Sequence, residues 1–173
     1  MAVTLKPITK DSWRACVQLR LAPDQEPFVA SNAYSLAQSK YEPNCVPLGI
    51  YDGETMVGFA MYARDAEEDT YWIYRLMIDC DQQAKGYGRE ALRQVIRLLE
   101  RMPDATPISL SYLPDNAVAE RLYLSEGFAP TGEESHGERI ARRTIGREQP
   151  KLEMFGLVES IEHEHSNRAS PQN

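Results

Sequence analysis

The chain has 173 residues, 42% of them hydrophobic and 26% charged, with a formal net charge of −7. That length fits one domain with a substantial core, and no apolar run approaches the ~20 residues that span a bilayer. The acidic balance argues against a nucleic-acid surface.

Val3 to Ile8 alternates apolar and polar residues and predicts a first strand. Asp11 or Ser12 can cap a helix with Trp13, Cys16, Val17 and Leu19 on its apolar side. Pro23 and Pro27 interrupt any helix, and a second short one is expected near residues 33–40. Leu48-Gly49-Ile50-Tyr51 and the run from Met56 to Tyr62 flank Asp52-Gly53, a hairpin signal. A further strand runs from about Thr70 to Asp79. The next helix is specified by Ala91, Leu92, Val95, Ile96, Leu99 and Met102 at helical spacing, with Arg89, Arg93, Arg97 and Arg101 along another side. Glu90, Glu100 and the acidic total make that row a solvated face rather than a nucleic-acid surface. Pro103 stops the helix, residues 107–113 alternate as a strand, Asp115 or Asn116 can cap a following helix, and Gly127 can end it in the left-handed conformation. Phe128 and the segment from Glu138 to Ile145 supply final strands. The pattern predicts an α+β fold, a mixed and mostly antiparallel sheet flanked by helices, over residues 1–150. Residues 151–173 form a polar C-terminal extension.

Gln83-Ala84-Lys85-Gly86-Tyr87-Gly88-Arg89-Glu90 joins an aromatic strand to that amphipathic helix. Two glycines one residue apart let the backbone turn its N–H groups to one point. The helix N-terminus behind them adds unpaired donors and the positive end of its dipole, which suits a phosphate or pyrophosphate. The loop lacks G-x-x-x-x-G-K-[ST], so nucleotide hydrolysis is not indicated, and it lacks the three-glycine dinucleotide fingerprint. Downstream lies Pro114-Asp115-Asn116-x-x-Ala119-x-x-Leu122-Tyr123-x-x-x-Gly127-Phe128. These two stretches, in this order, resemble the signatures of the GCN5-related N-acetyltransferase superfamily. The resemblance covers roughly residues 3–145 and is nearest to bacterial spermine/spermidine (diamine) N-acetyltransferases.

The resemblance implies direct attack of an amine on the thioester of acetyl-coenzyme A, a co-substrate. Gln83, Ala84, Lys85, Gly86, Tyr87, Gly88, Arg89 and Glu90 map onto the pyrophosphate loop, where main-chain N–H groups matter more than side chains. Lys85 and Arg89 either reach phosphate oxygens or are exposed charges. Backbone N–H groups along Leu76, Met77 and Ile78 would hold the pantetheine and polarise the carbonyl. Asn116 binds the pantetheine arm or caps its helix. Tyr123 matches the family's general acid, against a bland role as a core aromatic. Where many relatives place a glutamate base on the strand before the loop, this chain offers Trp72, Tyr74 and Arg75. The base is then a water relayed by Tyr74 or a carboxylate from another element. Arg75 is expected to pair with an acid.

For a polyamine, Glu26, Glu42, Glu133, Glu134 and Glu138 are the carboxylates expected around the acceptor cleft, with Tyr74 beside them and Phe28, Tyr34 and Tyr41 as walls. The leading acceptor is a primary amine of a polyamine such as spermine or spermidine, with another small amine, an aminoglycoside or a protein amino group as the alternative. A non-catalytic acyl-coenzyme A binding module is the alternative from another class. Cys16, Cys45 and Cys80 are scattered without C-x-x-C spacing and read as reduced thiols of a cytoplasmic protein. The N-terminus lacks the layout of a secretory signal. His136, His163 and His165 show no metal-binding spacing, so no metal is expected. No membrane or nucleic-acid partner is expected; family members often form homodimers.

Overall fold

The computed structural model describes residues 3–103 and 107–144. Ile145, the extension 151–173 and His163 and His165 lie outside the described residues. Chain order is β1 (Val3–Pro7), α1 (Trp13–Gln18), α2 (Asn32–Tyr41), β2 (Cys45–Asp52), β3 (Thr55–Asp65), β4 (Thr70–Ile78), α3 (Tyr87–Glu100), β5 (Ile108–Tyr112), α4 (Ala117–Ser125), β6 (Ala129–Ser135) and β7 (Glu138–Arg143). Among the described residues the strands form one seven-stranded sheet in the order β1-β2-β3-β4-β5-β7-β6. All pairings are antiparallel except β4 with β5, which α3 connects as a parallel crossover. The expected α+β architecture is therefore present, and no described helix is long and apolar enough to cross a membrane.

The sheet is covered on both faces, which explains the nearly continuous apolar run of β3. Ala60 and Tyr62 join a core completed by Ala91, Leu92, Val95, Ile96 and Leu99 of α3. Phe59, Met61 and Ala63 point the other way, toward Cys16 of α1 and Leu36 of α2, as the strand's period of two requires. Only Cys16 of the apolar side expected for α1 is buried; Trp13 stays 42% exposed, because a helix of six residues lays little more than one turn on the sheet. Ser12 occupies its N-cap position without capping it, since the Ser12 hydroxyl instead accepts the N–H of Thr9 at 2.8 Å.

The central feature is how little β4 and β5 pair. Their ladder covers Tyr71 with Ile108, Trp72 with Ser109 and Ile73 with Leu110, and no more. A buried polar chain pins this closed end: the Thr70 hydroxyl donates to the Pro107 carbonyl at 2.7 Å and lies 3.2 Å from the Ser109 hydroxyl, which accepts from Arg142. Just beyond Ile73 the β3–β4 register shifts, with Tyr62 opposite Ile73 and Met61 opposite Arg75, so Tyr74 is an extra, bulged residue. Such a bulge bends and twists its strand, and β4 leaves β5 at that position. Gly58 accommodates the path of β4: a Cβ there would lie 2.4 Å from the Met77 carbonyl oxygen.

Across the gap, α3 and α4 are tied by Glu126. Its side chain is only 8% exposed and binds Arg89 and Arg93. Burial pushes its carboxyl up, but the hydrogen bonds and charges of Arg93 and Arg89 outweigh that and leave it lowered. A lowered carboxyl stabilises the fold above its unfolded pKa and loses that contribution as pH falls through the folded value. Glu126→Gln is therefore expected to cost about 1–2 kcal/mol near neutral pH, the arginines being half exposed. Denaturant unfolding should show the deficit shrinking as the solution is acidified below the carboxylate range; a constant deficit would remove the ion pairs from the account.

Candidate active site

The loop after β4 forms a cradle of main-chain donors. Asp79 opens it by accepting the N–H groups of Asp81 and Arg20. Ala84 and Gly86 then take left-handed conformations, with φ of 60° and 85°. For alanine that conformation costs roughly 1–2 kcal/mol, the sort of local strain that collects where backbone meets ligand. The first intrahelical bond of α3 runs from the Glu90 N–H to Gly86 O at 3.2 Å. Among the described residues, the N–H groups of residues 84–89 find no acceptor. A Cβ on Gly86 would meet nothing within 4 Å and one on Gly88 only Ile78, at 3.7 Å, so both glycines border open space.

The loop's side chains are engaged elsewhere. Gln83 exchanges amide hydrogen bonds with Gln25 and donates to Ile78 O at 3.0 Å. Lys85 donates to Asp81 O and Gln82, both at 3.0 Å. Arg89 holds Ser125 and Glu126, Glu90 binds Gln94 and Arg97, and Tyr87 is buried with its hydroxyl on Asp52. What the loop presents to the gap is main chain.

Two cavities open from the splayed strands. The first, about 500 Å³, runs from Gly86 and Gly88 along Leu76, Met77 and Ile78 to Asn116. The second, about 520 Å³, runs from Asn116 and Tyr123 to Trp72, Tyr74 and Glu138. Phe28, Val29, Leu76, Asn116, Ala119 and Tyr123 line both. The Asn116 side chain accepts the Ala119 N–H at 3.1 Å, so it caps α4 while standing at this junction. The Tyr123 ring is set between Tyr112 and Phe128, with centroids 5.8 and 6.1 Å away. Its hydroxyl has no hydrogen-bond partner among the described residues. Burial, with the charge of Glu138 adding, pushes this phenol up to about 12. It keeps its proton at neutral pH and can donate it.

The second cavity takes in Trp72, Tyr74, Arg75 and the carboxylates of Asp65, Glu68 and Glu138. Tyr74 and Glu138 are thus brought together. Glu26 is not: it borders a separate hollow beside Arg20. Glu42 ends α2 and accepts from Gln38 and Cys45. Glu133 and Glu134 lie exposed on the edge strand β6. Of the expected aromatic walls, Phe28 lines the cavities, whereas Tyr34 and Tyr41 are 60% and 86% exposed on α2. Arg75 differs from expectation as well. Its guanidinium donates to Ser35, to Tyr74 O and to Gln38, all neutral; a half-buried guanidinium with solvent nearby is satisfied by such acceptors without an acid.

Residues 12–128 match the Acetyltransferase (GNAT) family. The spermine/spermidine N(1)-acetyltransferase of Bacillus subtilis (strain 168) is 31% identical over 147 residues, covering 81% of this chain and 97% of that protein. The chain belongs to the GNAT acetyltransferase family. Solved structures agree on the fold. An aminoglycoside acetyltransferase bound to coenzyme A matches with a TM-score of 0.71 at 18% identity, over 83% of this chain and 95% of the other. Spermidine N-acetyltransferase from Vibrio cholerae, in complex with coenzyme A and spermine, matches with a TM-score of 0.66 at 14% identity, over 83% and 94%.

Several residues that line or brace these cavities escape the sequence. Asp65 and Glu68 come from the β3–β4 hairpin, and Ser111 faces the second cavity from β5. Gln25 fastens the turn before Phe28 to the glycine loop. The hairpin's run of acids is a visible signal, but an acidic turn is also an ordinary solvated one. Ser111 and Gln25 carry no signal without the fold.

Proposed function

We propose that this GNAT acetyltransferase moves the acetyl group of acetyl-coenzyme A onto a primary amine of a polyamine such as spermine or spermidine. The meeting of the two cavities at Tyr123 carries this reading. One side offers unpaired N–H groups at a helix N-terminus, suited to a pyrophosphate. The other offers carboxylates among aromatic walls, suited to an ammonium-bearing chain, because an ammonium that leaves water needs an opposite charge or several acceptors. Likeness to the Bacillus subtilis enzyme supports the same acceptor class.

In this mechanism the main chain of residues 84–89 holds the pyrophosphate, and the β4 edge at Leu76, Met77 and Ile78 holds the pantetheine. Asn116 steadies that arm at the junction. Tyr123 gives its proton to the departing thiolate. The acidic surface raises the local concentration of a polycation. We place the protein in the cytoplasm on its composition and thiols.

A thiol-release assay with acetyl-coenzyme A against a panel of amines tests this. Spermine and spermidine should release thiol; if only an aminoglycoside, a monoamine or a protein amino group does, the polyamine reading fails, and coenzyme binding without any release marks a non-catalytic module. Glu68→Gln should raise KM for spermine severalfold, as removal of an exposed charge allows, and leave KM for a monoamine and for the coenzyme nearly unchanged. Added salt should raise the spermine KM in the parent.

A further inference from the structure

We propose that Glu138 is the catalytic base, the group that takes the proton from the acceptor's ammonium nitrogen. The proposal rests on the amine-acetylating reading above. An alkylamine resembling a lysine side chain is neutral in only about one molecule per 10³ at pH 7, so a base that removes the proton within the complex accounts for a large part of the rate.

Glu138 begins β7, one residue before Arg139, which faces Tyr112 in the end pair of the β5–β7 ladder. That places it at the open end of the splayed sheet. It is half-buried there and lines the second cavity together with Tyr123, Asn116 and Ser111. The Ser111 hydroxyl donates to Glu138 Oε2, which orients the carboxylate and leaves Oε1 for an incoming N–H. The His136-Gly137 turn, with φ of 52° and 82°, fixes the start of β7. The other carboxylates of the cavity are less well placed. Asp65 accepts the N–H groups of Glu67 and Glu68 at 2.9 and 3.1 Å, and Glu68 is exposed on its hairpin. Strand β4 carries no carboxylate from Thr70 to Ile78. Besides Asp65 and Glu68, the titratable or charged groups that line this cavity with Glu138 are Tyr123 from α4, Tyr74 and Arg75 from β4, Tyr112 from β5 and His136 from the turn. The charge of Glu138 is felt at the Tyr123 phenol, so base and acid share one locus.

The proton count balances. Glu138 takes one proton from the ammonium group, breaking N–H and forming O–H. The freed lone pair forms the C–N bond, and the carbonyl electrons move onto oxygen. Their return breaks C–S, and the thiolate takes the Tyr123 proton. The second proton now surplus on nitrogen restores the phenol, and the proton on Glu138 passes to solvent.

The test is the pH dependence of Glu138→Gln, run beside Glu138→Asp and with coenzyme affinity measured calorimetrically to show that the fold is kept. At pH 7 kcat/KM for spermine should fall on the order of 10²-fold or more. It should then climb tenfold per pH unit toward the basicity of the amine itself, because only free amine reacts. An amine made weakly basic by fluorination, which arrives neutral, should be acetylated by Glu138→Gln nearly as fast as by the parent. A parent that acetylates amines while the variant loses only KM, or keeps its turnover at pH 7, would overturn the assignment. A parent that acetylates no amine would instead overturn the function proposed above.

Discussion

Tyr123→Phe is expected to lower turnover on the order of 10²–10⁴-fold while leaving coenzyme affinity and thermal stability near those of the parent. The substitution keeps the ring that packs on Tyr112 and Phe128. It removes a hydroxyl that no described protein group engages, so the fold loses no hydrogen bond. A purely structural tyrosine would give a silent variant. The acid role makes the deficit appear in kcat, because the thiolate leaves without a proton. Because burial and Glu138 hold the phenol up at about 12, loss of the Tyr123 proton should not limit the parent below that range. Single-turnover rates with a good amine decide the matter, and an unaltered rate where chemistry limits would take Tyr123 out of the mechanism.

The second large effect concerns Gly88. It is the second residue of α3 and has no left-handed backbone requirement, and a Cβ there points past Ile78 into open groove. Gly88→Leu should therefore fill the cradle without straining the chain, and the higher helix propensity of leucine adds up to about 1 kcal/mol in its favour. Blocking two charge-assisted donors costs roughly 3–6 kcal/mol of binding, about 10²–10⁴-fold in Kd for acetyl-coenzyme A. Calorimetry should find affinity lost and melting temperature held or raised. A Leu variant that binds like the parent would mean that the phosphates lie elsewhere. Gly86 is a less clean probe, since its φ of 85° makes any side chain strained there.

The parts of this molecule that are legible in the sequence are those governed by local chemistry. Asp52-Gly53 turns a hairpin, Asn116 caps α4, Gly127 ends it with φ of 86°, and the apolar stripe of α3 is buried as its spacing predicts. The glycine loop is legible because a nest of N–H groups needs little more than two small residues and a helix start. The second cavity is less so. Its acids arrive from a hairpin and from the first residue of β7, separated in sequence and joined only by the sheet. Glu26 and Glu42 have the right chemistry on elements near the cleft, yet sit outside the cavity. The bulge at Tyr74 leaves no mark in composition, since one extra residue in an aromatic run looks like the run itself. It decides where β4 parts from its neighbour.

That parting has a thermodynamic consequence. With only three residue pairs joining β4 to β5, the sheet behaves as two blades, β1 to β4 and β5 to β7, whose facing edges lack each other as partners beyond the closed end. A ligand that lies between them is an added spacer of the folded state and has no counterpart in the unfolded chain. Mass action then couples occupancy to folding: at one hundred times Kd a ligand adds about 2.7 kcal/mol to the unfolding free energy. The apparent stability of this protein is thus a function of how much coenzyme surrounds it.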